Sequence, residues 1–533
     1  MIDLSLPLTL ATSTVGLDPM DYGVMLIYLL IVFAIGWFYS RSSGNTEDYL
    51  LGGRSMGWLV IGISYSVSLL STLSLVMVPG EAYNNGVILM LKSFIAPFFA
   101  AATFFLFIRF YFKTKMFTPF QYLESRFDSK IRGVAAILYC STRIFYLALV
   151  LYASSKVFEG ASGWPPQITI IVVGIVGIAY TAMGGIRAVV WTDLAQFIVL
   201  AVGLTLVLFM AAAQVPGGLI GAIQFGFENG RGMEELAESS FYTFDPHERI
   251  TLWILLISVF AEFLFYNSSD QITIQRLLST KGYHEAKRSM LTFVIISVPV
   301  SLVLWALGLV IFAFYSHQTD APMPASGDLA LFEFIGTQMP SPLPGIVIAA
   351  MLAAVMSTLD SGINSLATVA TKDFYLRMFR PKADESAQVN FSRLMTIATG
   401  VFAIISGLLI SQISSSIGES IMEAATVWMS FASVLAPVFL LGVTTRSLTS
   451  KDVIITLVAG WMALIPMIAW YLYSKSHEGV EDISFMYVGI PGLVVPLAVG
   501  YTIALFKSPQ PGDKIKDLTL WTLSKKSKER LDD

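Results

Sequence analysis

Residues 353–365 read AAVMSTLDSGINS, inside an apolar run that extends from about Leu343 to Lys372. An aspartate and five hydroxyl or amide side chains interrupt what would otherwise be an oily helix. Positions i, i+3 and i+4 share one helix face, so Ser357, Asp360 and Ser361 line one side. Thr358 lies one position round, and Ala354 sits one turn earlier with a carbonyl that a neighbouring disturbance could free. Oxygen ligands with one or two carboxylates suit a small hard cation. Sodium is the natural coupling ion, and a proton on a buried carboxylate is the other option. A hydrogen-bonded seam between helices explains the hydroxyls but explains Asp360 only if a cation or a buried base partners it.

The whole chain supports a membrane setting for this run. Of 533 residues, 55% are hydrophobic and 13% charged, about half the roughly 25% usual in soluble domains. The mean hydropathy is +0.70. A net charge of −4 gives no general basic character for nucleic acid, and the single cysteine, Cys140, excludes an intramolecular disulfide. The four histidines, His247, His284, His317 and His477, show no ligand spacing, and no hydrolase, zincin or P-loop motif occurs. The chain therefore reads as a non-enzyme. The N-terminal segment lacks the basic start of a signal peptide and reads as a short retained extension.

Apolar stretches long enough to cross a bilayer fall at about 21–40, 56–78, 86–108, 133–153, 166–183, 188–213, 251–275, 290–315, 343–371, 394–412, 418–442, 453–474 and 484–506. The expected fold is thus an all-α membrane protein of thirteen transmembrane helices. With the N-terminus outside, the inward-facing segments hold 27 of the 33 lysines and arginines, which sets that orientation and a cytoplasmic C-terminus. Lys92 and Arg143 fall within spans. The loops 214–250 and 316–342, rich in Gly, Pro and acidic residues, read as outer caps, and the tail from 507 reads as cytoplasmic.

Polar chemistry enters the membrane in three further places, each a functional candidate by default. Residues 64–74 (SYSVSLLSTLS), followed by Pro79-Gly80, describe either a helix that breaks and exposes carbonyls or ordinary Ser/Thr packing. Residues 260–276 (FAEFLFYNSSDQITIQR) place a second polar break in the sixth span counted from 56–78, as expected of two inverted five-helix halves; alternatively Asp270 and Gln271 lie at the inner boundary beside Arg276. In YTAMGGIRAVVWTDLAQF (180–197), Gly184 and Gly185 allow a tight turn, and Asp193 either pairs with Arg187 or reaches an ion site. Arg143 is suited to hold a carboxylate, or else pairs with an acid such as Glu262 or Glu423.

Five stretches in order resemble the sodium/solute symporter family: TEDYLLGGRSMGW (46–58), FTPFQYLESRFDSKIR (117–132), YTAMGGIRAVVWTD (180–193), DQITIQRLLS (270–279) and AAVMSTLDSGINSLATVATKDFY (353–375). The likeness spans about residues 20–506. It implies a broken-helix, five-plus-five inverted-repeat transporter: an N-terminal segment and accessory helix (1–45), a first repeat (46–213), an external loop (214–250), a second repeat (251–442), two accessory helices (443–506) and a cytoplasmic tail (507–533). It implies a first sodium site from Val67, Leu70, Ala354, Ser357 and Thr358, and a possible second from Asp193, Ser357, Asp360 and Ser361, where Asp360 replaces a hydroxyl of sialic-acid symporters. Ser71, Ser74, Ser93 and Arg143 match substrate positions, whereas Leu69 and Leu73 replace polar ones. The implied activity is sodium-coupled symport of a small organic solute, a carboxylate such as sialic acid or a monocarboxylate, across an inner or plasma membrane, with a monomer sufficient. A neutral sugar or polyol, proton coupling or a sensor role are the alternatives.

Overall fold

The computed structural model describes residues 17–40, 44–70, 72–113, 116–318, 323–324, 327–413, 427–477 and 479–523. Among these the architecture is helical throughout, with a single isolated bridge between Met56 and Thr280 and no named strand. Ten helices are long and apolar enough to cross a membrane, or up to twelve when two bent pairs are each counted as one span. This is the expected all-α membrane architecture, with a coarser count than the thirteen spans read from hydropathy.

The helix Leu343–Val369 is the axis of the bundle. All but two of its residues are buried, so it is hydrophobic on every face that is not polar, as a central helix must be. It packs against Pro166–Ala212, Ser129–Ser162, Pro19–Ser40 and Glu385–Ile413. Pro19–Ser40 turns Leu26, Ile27, Leu30, Trp37 and Phe38 outward. Such an exposed apolar stripe would be a liability in water and is the normal lipid-facing surface of a bundle.

Two spans are broken. Trp58–Leu69 and Thr72–Asn85 meet at Leu70, whose φ of −90° and ψ of 85° leave the helix, and the pair bends by 60°. Leu252–Ser268 and Gln271–Leu278 bend by 51°. The second break has a clear local cause. The Asp270 carboxylate caps the new helix, accepting from the Thr273 amide at 3.1 Å and its hydroxyl at 3.0 Å; this satisfies donors that a fresh helix start leaves open. All eight residues of Gln271–Leu278 are buried.

Pro166–Ala212 runs for 47 residues, but Gly185 inside it has φ 59° and ψ −153°. That region is open essentially to glycine alone, and a Cβ there would lie 2.3 Å from the Tyr49 carbonyl. The loop 214–250 is folded rather than open. It contains a helix, Gly218–Glu228, and is strapped to the Thr72–Asn85 half of the first broken span. Arg249 grips Glu81 with two bonds of 2.7 and 2.6 Å, Arg231 reaches the Tyr83 carbonyl at 2.7 Å, and the Val87 amide bonds the Gly232 carbonyl at 3.0 Å.

Candidate functional site

The second broken span carries three charged side chains, each paired with a different helix. Glu262 meets Lys92 of Leu91–Lys113 at 3.3 Å. Asp270, at the break, forms a short ion pair with Arg143 of Ser129–Ser162. Arg276 meets Asp193 of Pro166–Ala212 at 2.9 Å, with both side chains essentially inaccessible. Burying Asp270 or Arg276 alone would be prohibitive, so those two pairings follow from position, whereas Lys92 and Glu262 are both more than a third exposed.

The Arg276 guanidinium is the hub of a buried polar cluster. Its Nη2 donates to Asp193 Oδ2 and, at 2.5 Å, to Ser361 Oγ. Its Nε donates to Ser64 Oγ at 2.7 Å, and Nη1 reaches the Ile272 carbonyl at 3.2 Å. Ser64 closes a triangle by bonding Asp193 Oδ2, and Ser357 donates to Asp193 Oδ1 at 2.7 Å. Asp360 stands beside this network. Its Oδ2 accepts from Tyr180 at 2.6 Å, and its Oδ1 accepts from Ser361 at 3.2 Å. Four elements thus meet around two carboxylates and one fixed cation.

Nearby, the helix Trp58–Leu69 touches Leu343–Val369. Val67 O accepts from the Leu70 amide at 3.0 Å as the helix ends. On Leu343–Val369, Thr358 Oγ1 donates to the Ala354 carbonyl at 3.0 Å. Two adjoining cavities open beside the breaks. One of about 390 Å³ is lined by Ser68, Ser74, Lys92, Arg143, Glu262 and Asp270 among others. The other, about 250 Å³, is lined by Val67, Leu70, Ser74 and Ser93 and shares Lys92, Glu262 and Tyr266 with the first. In the larger cavity Arg143 lies against the rings of Tyr139 and Tyr146, 5.7 and 5.5 Å from their centroids.

A transport family model, "Sodium:solute symporter family", matches residues 49–460, well over half of the chain. The chain belongs to the sodium:solute symporter family. It is accordingly a multi-pass sodium-coupled transporter and not an enzyme. Among similar proteins, the sodium/sialic acid symporter NanT of Aliivibrio fischeri is 26% identical over 512 residues, 94% of this chain and 96% of its own. The human sodium-coupled monocarboxylate transporter 1 is 26% identical over 461 residues, 83% of this chain and 72% of its own. A substrate-bound, outward-open structure of a sodium-coupled sialic acid symporter has a TM-score of 0.84 at 22% identity, covering 92% of this chain and 98% of that one; it shares the fold.

Against the symporter residues expected from sequence, the structure brings Asp193, Ser357, Asp360 and Ser361 into one hydrogen-bonded cluster. It also places Arg276 in their midst, a residue that the sequence alone sets at the inner boundary. Asp193 does not pair with Arg187, which instead bonds Asp48 at 3.2 Å and the Gly52 carbonyl at 3.1 Å. Asp270 is a buried helix cap. Arg143 takes Asp270 rather than Glu262, and Glu423 lies outside the described residues, as does Ser71. Ser74 and Arg143 line the larger cavity, while Ser93 lines the smaller and bonds Ser301 at 2.6 Å. Leu69 and Leu73 face the larger cavity too. One sequence signal could have placed Arg276: a lone aspartate at mid-span needs a base, and the second broken span holds one.

Proposed function

We propose that the chain carries a small carboxylate solute inward with sodium, by alternating access, and that the solute sits in the cavity beside the two breaks. The observation that carries this reading is Arg143, an intramembrane guanidinium opening onto that cavity. Sialic acid and monocarboxylates, named for two of the relatives, share only a carboxylate, so that group is the recognition element carried over. Ser74 and Ser93 are offered as the hydroxyl contacts, with Ser71 completing the set by resemblance.

The coupling sodium is assigned to Val67, Leu70, Ala354, Ser357 and Thr358. What supports this is the adjacency of Ala354 O to Thr358 Oγ1, and the departure of Leu70 from helical geometry, which frees backbone oxygens. For Asp193, Ser357, Asp360 and Ser361 the proposal is more specific. Arg276 already serves as the cation of that set, so sodium enters it only when the guanidinium withdraws.

The proposed topology has thirteen crossings. A continuous Pro166–Ala212 helix would be about 70 Å long, more than twice a bilayer core of about 30 Å, so the chain turns at Gly185. The two bent spans then open matching five-helix repeats, 46–213 and 251–442, with accessory helices at 1–45 and 443–506, an external loop 214–250 and a cytoplasmic tail 507–533. The N-terminus lies outside an inner or plasma membrane, and one copy suffices for transport. Uptake of N-acetylneuraminate, pyruvate and glucose into proteoliposomes, with inward sodium or proton gradients, tests the reading. Sodium-driven carboxylate uptake is expected. Uptake that ignores sodium and follows protons, or that prefers glucose, overturns it.

A further inference from the structure

The larger cavity holds charge in two places and little polarity between them. Arg143 and Asp270 form a buried pair, and Lys92 and Glu262 a pair more than a third exposed. Arg143 bonds Asp270 through Nη2, and among the described residues its Nε and Nη1 have no other hydrogen-bond partner. Those donors are left for the carboxylate of a solute. Away from the pairs, four elements supply an apolar wall. Leu73 and Met77 come from the first broken span, Ile257 and Phe265 from the second, Met429 from the stretch before Leu435–Thr444, and Leu493 from Ile490–Leu505.

The serines on this wall do not offset its character. Ser68 donates to the Tyr65 carbonyl at 2.9 Å, Ser258 to the Leu255 carbonyl at 2.9 Å and Ser430 to the Val427 carbonyl at 2.6 Å. A hydroxyl has one proton, so each of these offers a solute only an acceptor while its bond stands. Ser433 Oγ is buried out of the open space. Ser74, already offered as a contact, is the one other serine on the described wall. A solute studded with hydroxyls would press several of them against carbon, where each loses its water partners at a cost. A hydrocarbon body loses nothing there and gains by leaving water.

Size narrows the class further. At about 30 Å³ per water, a cavity of about 390 Å³ has room for on the order of a dozen groups the size of a water or a methylene. Pyruvate would fill about half of that space, and N-acetylneuraminate exceeds it while carrying hydroxyls onto the apolar wall. We infer that the solute is a monocarboxylate with a hydrocarbon body, alkyl or aryl, of about ten to twelve non-hydrogen atoms in all. Its carboxylate engages Arg143, and its body lies among Leu73, Met77, Phe265 and Met429. This rests on the symport reading above and names the body of its solute.

The test follows labelled sodium entering proteoliposomes that hold the full-length protein when a solute is added outside, with protein-free vesicles as the blank. An acid that crosses the bilayer unaided carries no sodium, so symport alone is read. Octanoate and 3-phenylpropanoate match the inferred body. Butanoate and pyruvate are smaller, gluconate is of similar size but hydroxylated, and N-acetylneuraminate is larger and hydroxylated. Each buried methylene is worth about fourfold in affinity, so the half-maximal concentration should fall steeply from butanoate to octanoate. It should be at least tenfold lower for octanoate than for gluconate or pyruvate. Leu73→Asn puts an amide on the wall and should narrow the gap between octanoate and gluconate at least fivefold. Met77→Gln, on the same span, gives the same reading if the first variant fails to fold. Gluconate, pyruvate or N-acetylneuraminate acting at an equal or lower concentration than octanoate and 3-phenylpropanoate overturns the inference while leaving symport intact. A gap unchanged in a folded variant of either kind also overturns it. An absence of sodium entry with every solute removes the symport reading and this inference together.

Discussion

If the Arg276 guanidinium is the standing cation of the Asp193 cluster, its removal should turn that cluster into a sodium site. Arg276→Ala deletes four hydrogen bonds, to Asp193 at 2.9 Å, Ser361 at 2.5 Å, Ser64 at 2.7 Å and the Ile272 carbonyl at 3.2 Å. It leaves a fully buried aspartate without a counter-charge, a change that costs about 3–5 kcal/mol when no replacement is present. The vacated space is lined by oxygens from Asp193, Ser357 and Ser361, a donor set that suits sodium. Bound sodium at 100 times its dissociation constant returns about 2.7 kcal/mol, more than half the loss. Thermal unfolding of the purified protein in sodium chloride and in potassium chloride, at matched ionic strength, reads both effects. The variant should be markedly less stable than the parent in potassium, and sodium should recover much of the difference. Its sodium titration of uptake should steepen from a Hill coefficient near one towards two. Arg276→Lys, which keeps a charge but loses the planar fork, should stay closer to the parent. Equal stability of parent and Arg276→Ala in potassium, or an unchanged titration, would refute the reasoning.

Three other perturbations bear on separate parts of the machine. Thr358→Ala removes a proposed sodium ligand at about 1–2 kcal/mol, so the sodium concentration for half-maximal uptake should rise roughly 5–30-fold; an unchanged value removes Thr358 from the site. Arg143→Ala leaves Asp270 buried and unpaired, so it should lower stability by about 3–5 kcal/mol and abolish carboxylate uptake. Restored stability in the double variant Arg143→Ala/Asp270→Asn, with uptake still absent, separates recognition from folding, whereas restored carboxylate uptake refutes the role of Arg143. Burial pushes Glu124 up, but bonds from Arg132 and Arg377, both 2.5 Å, more than offset it and hold the carboxyl below its usual value. Its contribution is therefore complete above the unfolded value of about 4.3 and lost as pH falls through the lower folded one. The melting temperature of Glu124→Gln should lack that part of the acid decline below about pH 4; an identical acid limb contradicts it.

The bundle was legible because its signals are additive over many residues. Hydropathy located the spans, and the serine-rich stretch 64–74 and the NSSD stretch 267–270 marked the two breaks. Pairing was not legible, since it depends on rotation and depth of helices far apart in sequence. Arg276 reads as an inner-boundary cation because Gln271–Leu278 follows a break, and linear counting cannot see that all eight residues of that short helix are buried. Arg187 was the plausible partner of Asp193 by proximity in sequence. The Gly185 turn takes it towards Asp48 and the Gly52 carbonyl instead. The AAVMSTLDSGINS face is polar as expected, but Asp360 on it is met by the Tyr180 and Ser361 hydroxyls, and the buried base, Arg276, pairs with Asp193 instead.

The three ion pairs give the second broken span a mechanical meaning. Glu262, Asp270 and Arg276 tie it to three different helices, and in two of the pairs both partners are buried. The first broken span touches this system through Ser64, which bonds both Asp193 and Arg276, and Ser64 lies one helical turn from Val67. A sodium ion at Val67, Leu70 and Ala354 would therefore hold the first span against Leu343–Val369 and fix Ser64 with it. Arg276 is positioned through Ser64, and Asp270 lies on the same short helix as its N-cap. Sodium bound at the proposed site would thus favour one setting of the Arg143–Asp270 pair without touching the solute. Because a coupling free energy is reciprocal, a solute that engages Arg143 must tighten sodium by the same factor. Ser64→Ala should weaken that mutual dependence while leaving both cavities in place. It should lower the solute-induced gain in sodium affinity, measured by sodium titrations with and without solute, by several-fold. A gain equal to that of the parent would mean that coupling runs by another route.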